Sequence, residues 1–169
     1  MIKINLGCGQ KYLKGFINTE LNKSVKADLY FNLNKFPYPF RNSYATYILM
    51  DNVLEHLDNV IKVMQEIHRI LKPNGMVKII VPYFKSDGAY QDPTHKHFFT
   101  EKSMDYFSYS GEYNYYTKSR FKILKKEISS SNSTALSKLR YIIPLKSILR
   151  YFLFNMFDQL IFELRAIKK

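Results

Sequence analysis

The stretch from Ala45 to Pro82 constrains the fold more than any other part of this sequence. Ala45–Met50 (Ala-Thr-Tyr-Ile-Leu-Met) is a short apolar run entered from the turn-rich Phe36–Ser43, and it reads as a buried strand. From Val53 to Leu71 the apolar residues fall at 53, 54, 57, 60, 61, 63, 64, 67, 70 and 71, a helical period. Lys72-Pro73-Asn74-Gly75 then stops the helix, because Pro lacks the amide donor and Gly tolerates the reversed backbone. Met76–Pro82 is rich in Val and Ile, the composition of a strand covered on both faces. Strand, helix, turn and strand make one βαβ unit, which commits the chain to a parallel sheet.

Two more short strands are expected at the start, over residues 2–6 and 16–19, joined by a turn that opens Gly7-Cys8-Gly9. Only the nine residues from Gly7 to Gly15 connect them, whereas a parallel crossover usually takes about a dozen or more. The covering helix must shrink there to about one turn. One sheet face is then thinly covered, and an apolar patch of that kind suits a partner or a homodimer contact. Beyond Pro82 come a polar and aromatic loop, a helix over Glu101–Tyr109, a strand over Phe121–Ile128, and a polar linker from Ser129 to Thr134. Leu136–Phe157 reads as helical or irregular, and Phe162–Ala166 alternates as a half-buried strand does. The expected fold is α/β: a Rossmann-like, mostly parallel sheet with an antiparallel C-terminal strand, built as a single domain over residues 1–169.

Charge bears on partners. Twenty-six Lys and Arg against 14 Asp and Glu leave +12, a field that concentrates nucleic acid, anionic lipid or acidic glycan; a Lys-rich solvated surface gives the same sum. The single Cys cannot form an internal disulfide, and no Cys and His cluster has structural zinc spacing, which fits a reducing, cytoplasmic setting. No basic stretch followed by an apolar run opens the chain as a signal peptide would. Leu149–Ile167, the longest apolar region, is interrupted by Arg150, Asp158, Glu163 and Arg165 and is not a membrane span.

A strand that ends in Gly-x-Gly lets backbone approach a ligand, since residues without Cβ take positive φ and leave room. A Walker loop is excluded because no Lys and hydroxyl follow Gly15, and a dinucleotide fingerprint because Tyr12 occupies the third glycine position. Glu20 comes thirteen residues after Gly7, earlier than the roughly 20 residues that separate the ribose-binding acid of a dinucleotide fold. A nucleoside without pyrophosphate is the ligand class left.

With these motifs in place, the chain resembles the class I S-adenosylmethionine-dependent methyltransferases, in the small branch grouped with the methyltransferase type 11 domain. The resemblance covers residues 2 to about 110, and the tail follows it loosely. Asn5-Leu6-Gly7-Cys8-Gly9 resembles the motif whose backbone lies against the methionine part of the cofactor, with Asn5 where the family more usually has Asp. Glu20, with Leu21 after it, resembles the acid that takes both ribose hydroxyls, a task suited to a carboxylate with two acceptor oxygens. Ala27-Asp28-Leu29 resembles the segment that bonds the adenine amino group, and Met50-Asp51-Asn52 the strand end beneath the methionine. Asn52–Leu57, Leu71–Gly75 and Ile79–Pro82 resemble the branch's helix, turn and fifth strand. The resemblance implies S-adenosylmethionine as cofactor, S-adenosylhomocysteine as product, and methyl transfer to an oxygen or nitrogen.

Ligands of open α/β sheets sit at the carboxyl ends of the strands, so the loop after the fifth strand, "PYFKSDGAYQDPTHKHFFT", should reach the methyl acceptor. It offers Tyr83, Asp87, Tyr90, Asp92, His95 and His97. His95 and His97 are the candidate catalytic residues, as general bases that titrate near neutral pH. Two other readings stand beside that one: Asp92, His95 and His97 as metal ligands, or the same residues pinning the loop by hydrogen bonds. No resident metal is expected. The acceptor classes are a small molecule, a glycan or a lipid, with RNA suggested by the charge and by the six Tyr and Phe between Tyr106 and Tyr116. Lys122, Lys125, Lys126, Lys138, Arg140, Lys146 and Arg150 follow them. Ile142–Phe157 could lie on an anionic membrane as an interfacial helix or pack beside the last strand and complete the core. The alternative to an enzyme is a catalytically silent binding module for nucleic acid or anionic membrane.

Overall fold

In the computed structural model, which describes residues 1–109, 111, 114–130 and 144–168, seven strands form one sheet. They are β1 (Lys3–Leu6), β2 (Ile17–Glu20), β3 (Leu29–Tyr30), β4 (Ala45–Asp51), β5 (Leu71–Pro82), β6 (Arg120–Ser129) and β7 (Gln159–Ile167). Their order is β3-β2-β1-β4-β5-β7-β6. The first five run parallel, and β7 is antiparallel to both its neighbours. Successive connections run outward in opposite directions from β1, so the gap between β1 and β4 is a topological switch point, the place where such sheets bind ligands.

The βαβ unit forms as the sequence implies, with two changes. A 3-10 turn covers Leu54–His56, and the helix proper, α1, spans only Val60–Ile70. Leu57 breaks the run with an extended backbone, and Asn59 restarts it as a cap, its side chain accepting from the Lys62 amide at 2.9 Å. β5 already begins at Leu71, which pairs with Ala45, and Lys72–Gly75 is an irregularity inside that strand. On α1, Val63, Met64, Ile67 and Ile70 are fully buried. They pack in one core with Ile4 and Leu6 of β1, Ile48 and Met50 of β4, Val77, Ile79 and Val81 of β5, and Leu160, Phe162 and Leu164 of β7.

Because side chains alternate across a strand, Tyr47, Leu49, Lys78, Ile80, Ile161, Glu163 and Arg165 occupy the opposite face, and all are only half-buried. Among the described residues no helix covers that face. The nine-residue connection between β1 and β2 contains turns only; even the single helical turn expected there is absent. That face is where the sequence leads to the expectation of a partner or homodimer contact.

Other elements differ from expectation. Glu101–Tyr109 holds a 3-10 segment over Ser103–Phe107 in place of a helix, closed by Ser108, whose hydroxyl donates to the Asp105 carbonyl at 2.9 Å. β7 extends three residues beyond the expected strand on its N-terminal side and one on its C-terminal side, and β3 is additional. In the segment expected to be helical or irregular, a four-residue helix, α2 (Lys146–Leu149), is followed by exposed Tyr151, Phe152, Leu153 and Phe154. Tyr151–Phe154 therefore lie outside the core, whereas Met156 is buried and Phe157 packs against the core; the described helix, of four residues, is short for one lying along a membrane. Residues 131–143, including part of the expected linker, Lys138, Arg140 and the start of the interfacial stretch, lie outside the described residues. Among the described residues no helix is long and apolar enough to cross a membrane.

His68, in the last turn of α1, ties the helix to the end of β7: its Nε2 contacts the Ile167 carbonyl at 2.9 Å, and its ring meets Phe121 edge-on at 5.3 Å. Burial, reinforced by the Lys168 ammonium, holds its pKa below the ordinary histidine value. The unfolded chain thus binds the proton more readily than the folded one, so this group's contribution is complete above about pH 6.5 and falls as pH drops through that value. Thermal melts at pH 7.5 and pH 5 should show His68→Gln losing less stability on acidification than the parent; equal losses would exclude His68 as a source.

Candidate functional site

At the switch point the ends of β1, β2 and β4 surround an open cavity of about 350 Å³. Gly7 and Gly9 form one wall, Glu20 and Leu21 the rim, Asn52, Val53, His56 and Leu57 the floor, and Phe31–Asn34, just after β3, the far end. Two larger concavities, of about 580 and 610 Å³, lie elsewhere, at Ser43, His68 and Arg120 and at Lys3, Phe16 and Tyr47. Neither is at the carboxyl ends of the parallel strands.

Local chemistry explains the wall. Gly7 and Gly9 have φ of +68° and +50°, values that an L side chain resists. The Glu20 carboxylate then straps the turn: Oε2 accepts from the Gly9 amide at 2.8 Å, and Oε1 from the Leu21 and Asn22 amides at 2.7 and 3.2 Å. It is held in place by backbone donors and stays half-exposed at the rim.

The other cofactor candidates are placed as follows. Leu6 and Met50 are fully buried in the core, so only their backbone is near the site. Cys8 and Asp51 border a smaller adjoining cavity of about 120 Å³, where Lys11 pairs with Asp51 at 2.7 Å; burial, then Glu20, pushes the Cys8 thiol pKa up. Asn5 is buried and spent on Asn18 and the Lys11 carbonyl. Asp28 is directed away from the cavity. It accepts from the Asn18 backbone amide at 2.7 Å, the Tyr12 hydroxyl at 2.7 Å and the Asn18 side chain at 3.1 Å, bonds that hold its pKa below the usual carboxylate range. Leu29 sits in β3 and does not line the cavity. The far end is built instead from Phe31, Asn32, Leu33 and Asn34, which the sequence reading did not single out.

On the acceptor side, the loop from Tyr83 to Phe99 closes on itself through a bridge between those two residues. It is sewn to the 3-10 turn at Leu54–His56: the Glu55 carbonyl accepts from the Lys96 and His97 amides at 2.8 and 3.2 Å, and Lys96 pairs with Asp58. His97 Nε2 meets the Leu57 carbonyl at 2.8 Å. That bond ties the His97 ring to the residue after the 3-10 turn and so helps pin the loop. Asp92 accepts from both the amide and the hydroxyl of Thr94, and among the described residues Asp92, His95 and His97 do not come together as a metal-ligating group.

His95 joins a different group. Its ring stands edge-on to His56, centroids 4.7 Å apart, and beneath them lies Glu55, fully buried with neither carboxylate oxygen hydrogen-bonded. Burial pushes the Glu55 pKa up to about 7. One donor atom from each of Glu55, His56 and His95 lies within 4.8 Å of the other two. In the sequence Glu55 and His56 stand at the expected start of a helix, where capping or packing competes with ligand contact as their role.

Residues 17–79 match the family described as methyltransferase domain, and the glycine turn lies just before the match. Solved structures match over nearly the whole chain. A S-adenosylmethionine-dependent methyltransferase from Archaeoglobus fulgidus is 18% identical, with a TM-score of 0.68 over 96% of this chain and 85% of its own. The chain has the fold of the class I S-adenosylmethionine-dependent methyltransferases. A second S-adenosylmethionine-dependent methyltransferase, from Mesorhizobium loti, is 10% identical with a TM-score of 0.65, covering 97% of this chain and 90% of that one. A Haloferax volcanii methyltransferase in complex with the Trm112 activator is 11% identical with a TM-score of 0.66, covering 99% and 83%. No curated protein matches the sequence. At these identities the structures establish the shared methyltransferase fold, and the matched domain is consistent with it.

Proposed function

We propose that the protein transfers a methyl group from S-adenosylmethionine to an oxygen or nitrogen of a small-molecule, glycan or lipid acceptor. The observation that carries this reading is the cavity at the switch point, where two glycines with positive φ face a carboxylate fixed by three backbone amides. Its volume falls within the ~300–1,000 Å³ of small-molecule sites. The residues suit the cofactor: the bare backbone of Gly7–Gly9 admits the methionine part, Glu20 with Leu21 the ribose, and Phe31–Asn34 the adenine. Asn52, with Met50 and Asp51 behind it, supports the methionine end. Asp28 serves the same site at one remove, by fixing the start of β2 through Asn18. Bound there, the cofactor supplies an electrophilic methyl on a sulfonium, and the protein's main contribution is to hold the acceptor in line with it.

His95 stands at the acceptor end beside His56, which lines the cavity, while His97 positions the loop. On the same loop Tyr90 stacks on Phe98 at 4.7 Å with both rings about half exposed. An apolar platform of that kind suits a sugar ring or an acyl chain. The competing idea, a silent binding module, has no support from the family match or the structural neighbours.

Calorimetric titration with S-adenosylmethionine and S-adenosylhomocysteine tests the reading. Micromolar binding of either is the expected result. Folded protein that takes up neither at millimolar concentration would overturn it.

A further inference from the structure

We propose that Glu55, His56 and His95 bind one divalent ion of the zinc class, a site that stands or falls independently of methyl transfer. The argument begins with protons. The Thr94 hydroxyl donates to Asp92 Oδ1 at 2.7 Å, so its oxygen presents only lone pairs to His56 Nδ1, 2.8 Å away. His56 Nδ1 must therefore be the donor, which leaves Nε2 as the bare nitrogen of a neutral ring. His95 Nδ1 faces the Ala89 carbonyl at 2.9 Å. A carbonyl can only accept, so here too Nδ1 carries the proton and Nε2 the lone pair.

The third member is an acceptor as well. Glu55 is fully buried, and both of its oxygens lack a hydrogen-bond partner; buried polar groups are almost always paired, and an isolated buried carboxylate is among the costliest exceptions. A proton bridging the acid to either ring would appear as a hydrogen bond, and none joins them. Each imidazole thus keeps one nitrogen lone pair, and one ligand atom from each ring and from the carboxyl group lies within 4.8 Å of the other two, with no hydrogen bond to the Glu55 oxygens. What such a group lacks is a cation.

The donor set also specifies which one. Two imidazoles with one carboxylate suit zinc and its borderline neighbours over magnesium or calcium, which prefer all-oxygen sites. Three protein ligands with a fourth position open is the arrangement of zinc sites that bind an exchangeable group. Each histidine is already oriented through its other nitrogen, His95 by a carbonyl and His56 by the Thr94–Asp92 relay, as metal-bound histidines usually are. The donor atoms lie within 4.8 Å of one another, while tetrahedral bonds of about 2.0–2.1 Å place ligand pairs roughly 3.4 Å apart. The ion would draw the three inward by about an ångström, a displacement that side-chain torsions can supply. Because His56 also lines the cavity at Gly7 and Glu20, the ion would lie beside the methyl-transfer site, within reach of an acceptor oxygen.

The test is calorimetric titration of the chelator-stripped full chain with Zn²⁺, in a buffer that competes for weakly held metal. One equivalent is expected to bind, with X-ray absorption showing two imidazole nitrogens. Glu55→Gln and His95→Gln should each lower the affinity at least tenfold, Asp92→Asn by less, and His68→Gln not at all. Circular dichroism of each variant reports folding, and if Glu55→Gln fails to fold, His95→Gln decides. Absence of binding to the parent, or a stoichiometric site that survives His95→Gln in a folded chain, would overturn the proposal. Neither outcome touches S-adenosylmethionine binding, which is measured separately.

Discussion

Glu20→Ala should weaken S-adenosylmethionine binding by roughly 100-fold or more while leaving the chain folded. Hydrogen bonds to a charged group are worth about 1.5–3 kcal/mol each, and losing two to the ribose hydroxyls at about 1.4 kcal/mol per tenfold gives that order of magnitude. The structure adds a second loss. Glu20 Oε2 holds the Gly9 amide and Oε1 the Leu21 and Asn22 amides, so alanine also releases the turn against which the ligand would lie. Glu20→Gln separates charge from shape: it keeps the volume but must turn an amide NH₂ toward one set of backbone N–H donors. It should therefore approach the alanine variant in affinity loss. The half-exposed rim position lets water replace the lost bonds in the free protein, so thermal melts should change little. Titration of both variants with the cofactor and with S-adenosylhomocysteine is the measurement. Affinities within about threefold of the parent for Glu20→Ala would remove Glu20 from the site.

What the sequence made legible, and what it hid, follows from the range of the interactions involved. The βαβ unit could be read because its period and its Pro-Gly stop are local. The break at Leu57–Asn59 could not, since Val53, Leu54 and Leu57 face the core in either conformation and the apolar period runs on across the change from 3-10 turn to α-helix. β3, with two residues, is too short to show any period. That hid the cavity's far end, because Phe31–Asn34 can be placed only once the end of β3 is known; Asp28 was the nearest acid in view. Gly7, Gly9 and Glu20 were visible because turn chemistry and strand-end position are properties of neighbouring residues. Glu55 was not. An acid at a helix start is favoured by the dipole, and only the loop from Tyr83 to Phe99, folding back to bond the Glu55 carbonyl through Lys96 and His97, turns it into a buried, unpartnered group. The same loop separates His95 from His97, two positions apart, sending one to the cluster and the other to the Leu57 carbonyl.

Gly7→Ala is expected to destabilise the protein by about 2–5 kcal/mol, and the two parts of that cost can be measured separately. At φ +68° an alanine pays roughly 1–2 kcal/mol for the left-handed backbone. Its Cβ would also stand 2.7 and 2.9 Å from the two methyl groups of Val53, an overpacking that costs ~1–3 kcal/mol in a filled interior. Gly9 is the internal comparison: φ is +50°, yet an added Cβ meets nothing within 4 Å, so Gly9→Ala should lose only the backbone part. Val53→Ala placed in the Gly7→Ala background should recover the contact part, appearing as a coupling between the two substitutions that independent sites would not show. Urea unfolding midpoints of the four variants give each quantity. If Gly7→Ala proved no worse than Gly9→Ala, the close approach of Val53 would be disproved. The expected larger loss would also be felt in the cavity, because Val53 is part of its floor and precedes the 3-10 turn that carries Glu55 and His56. A push on Val53 from Gly7 is then passed from the cofactor wall to the acceptor side, and cofactor affinity should fall together with stability in Gly7→Ala but not in Val53→Ala alone.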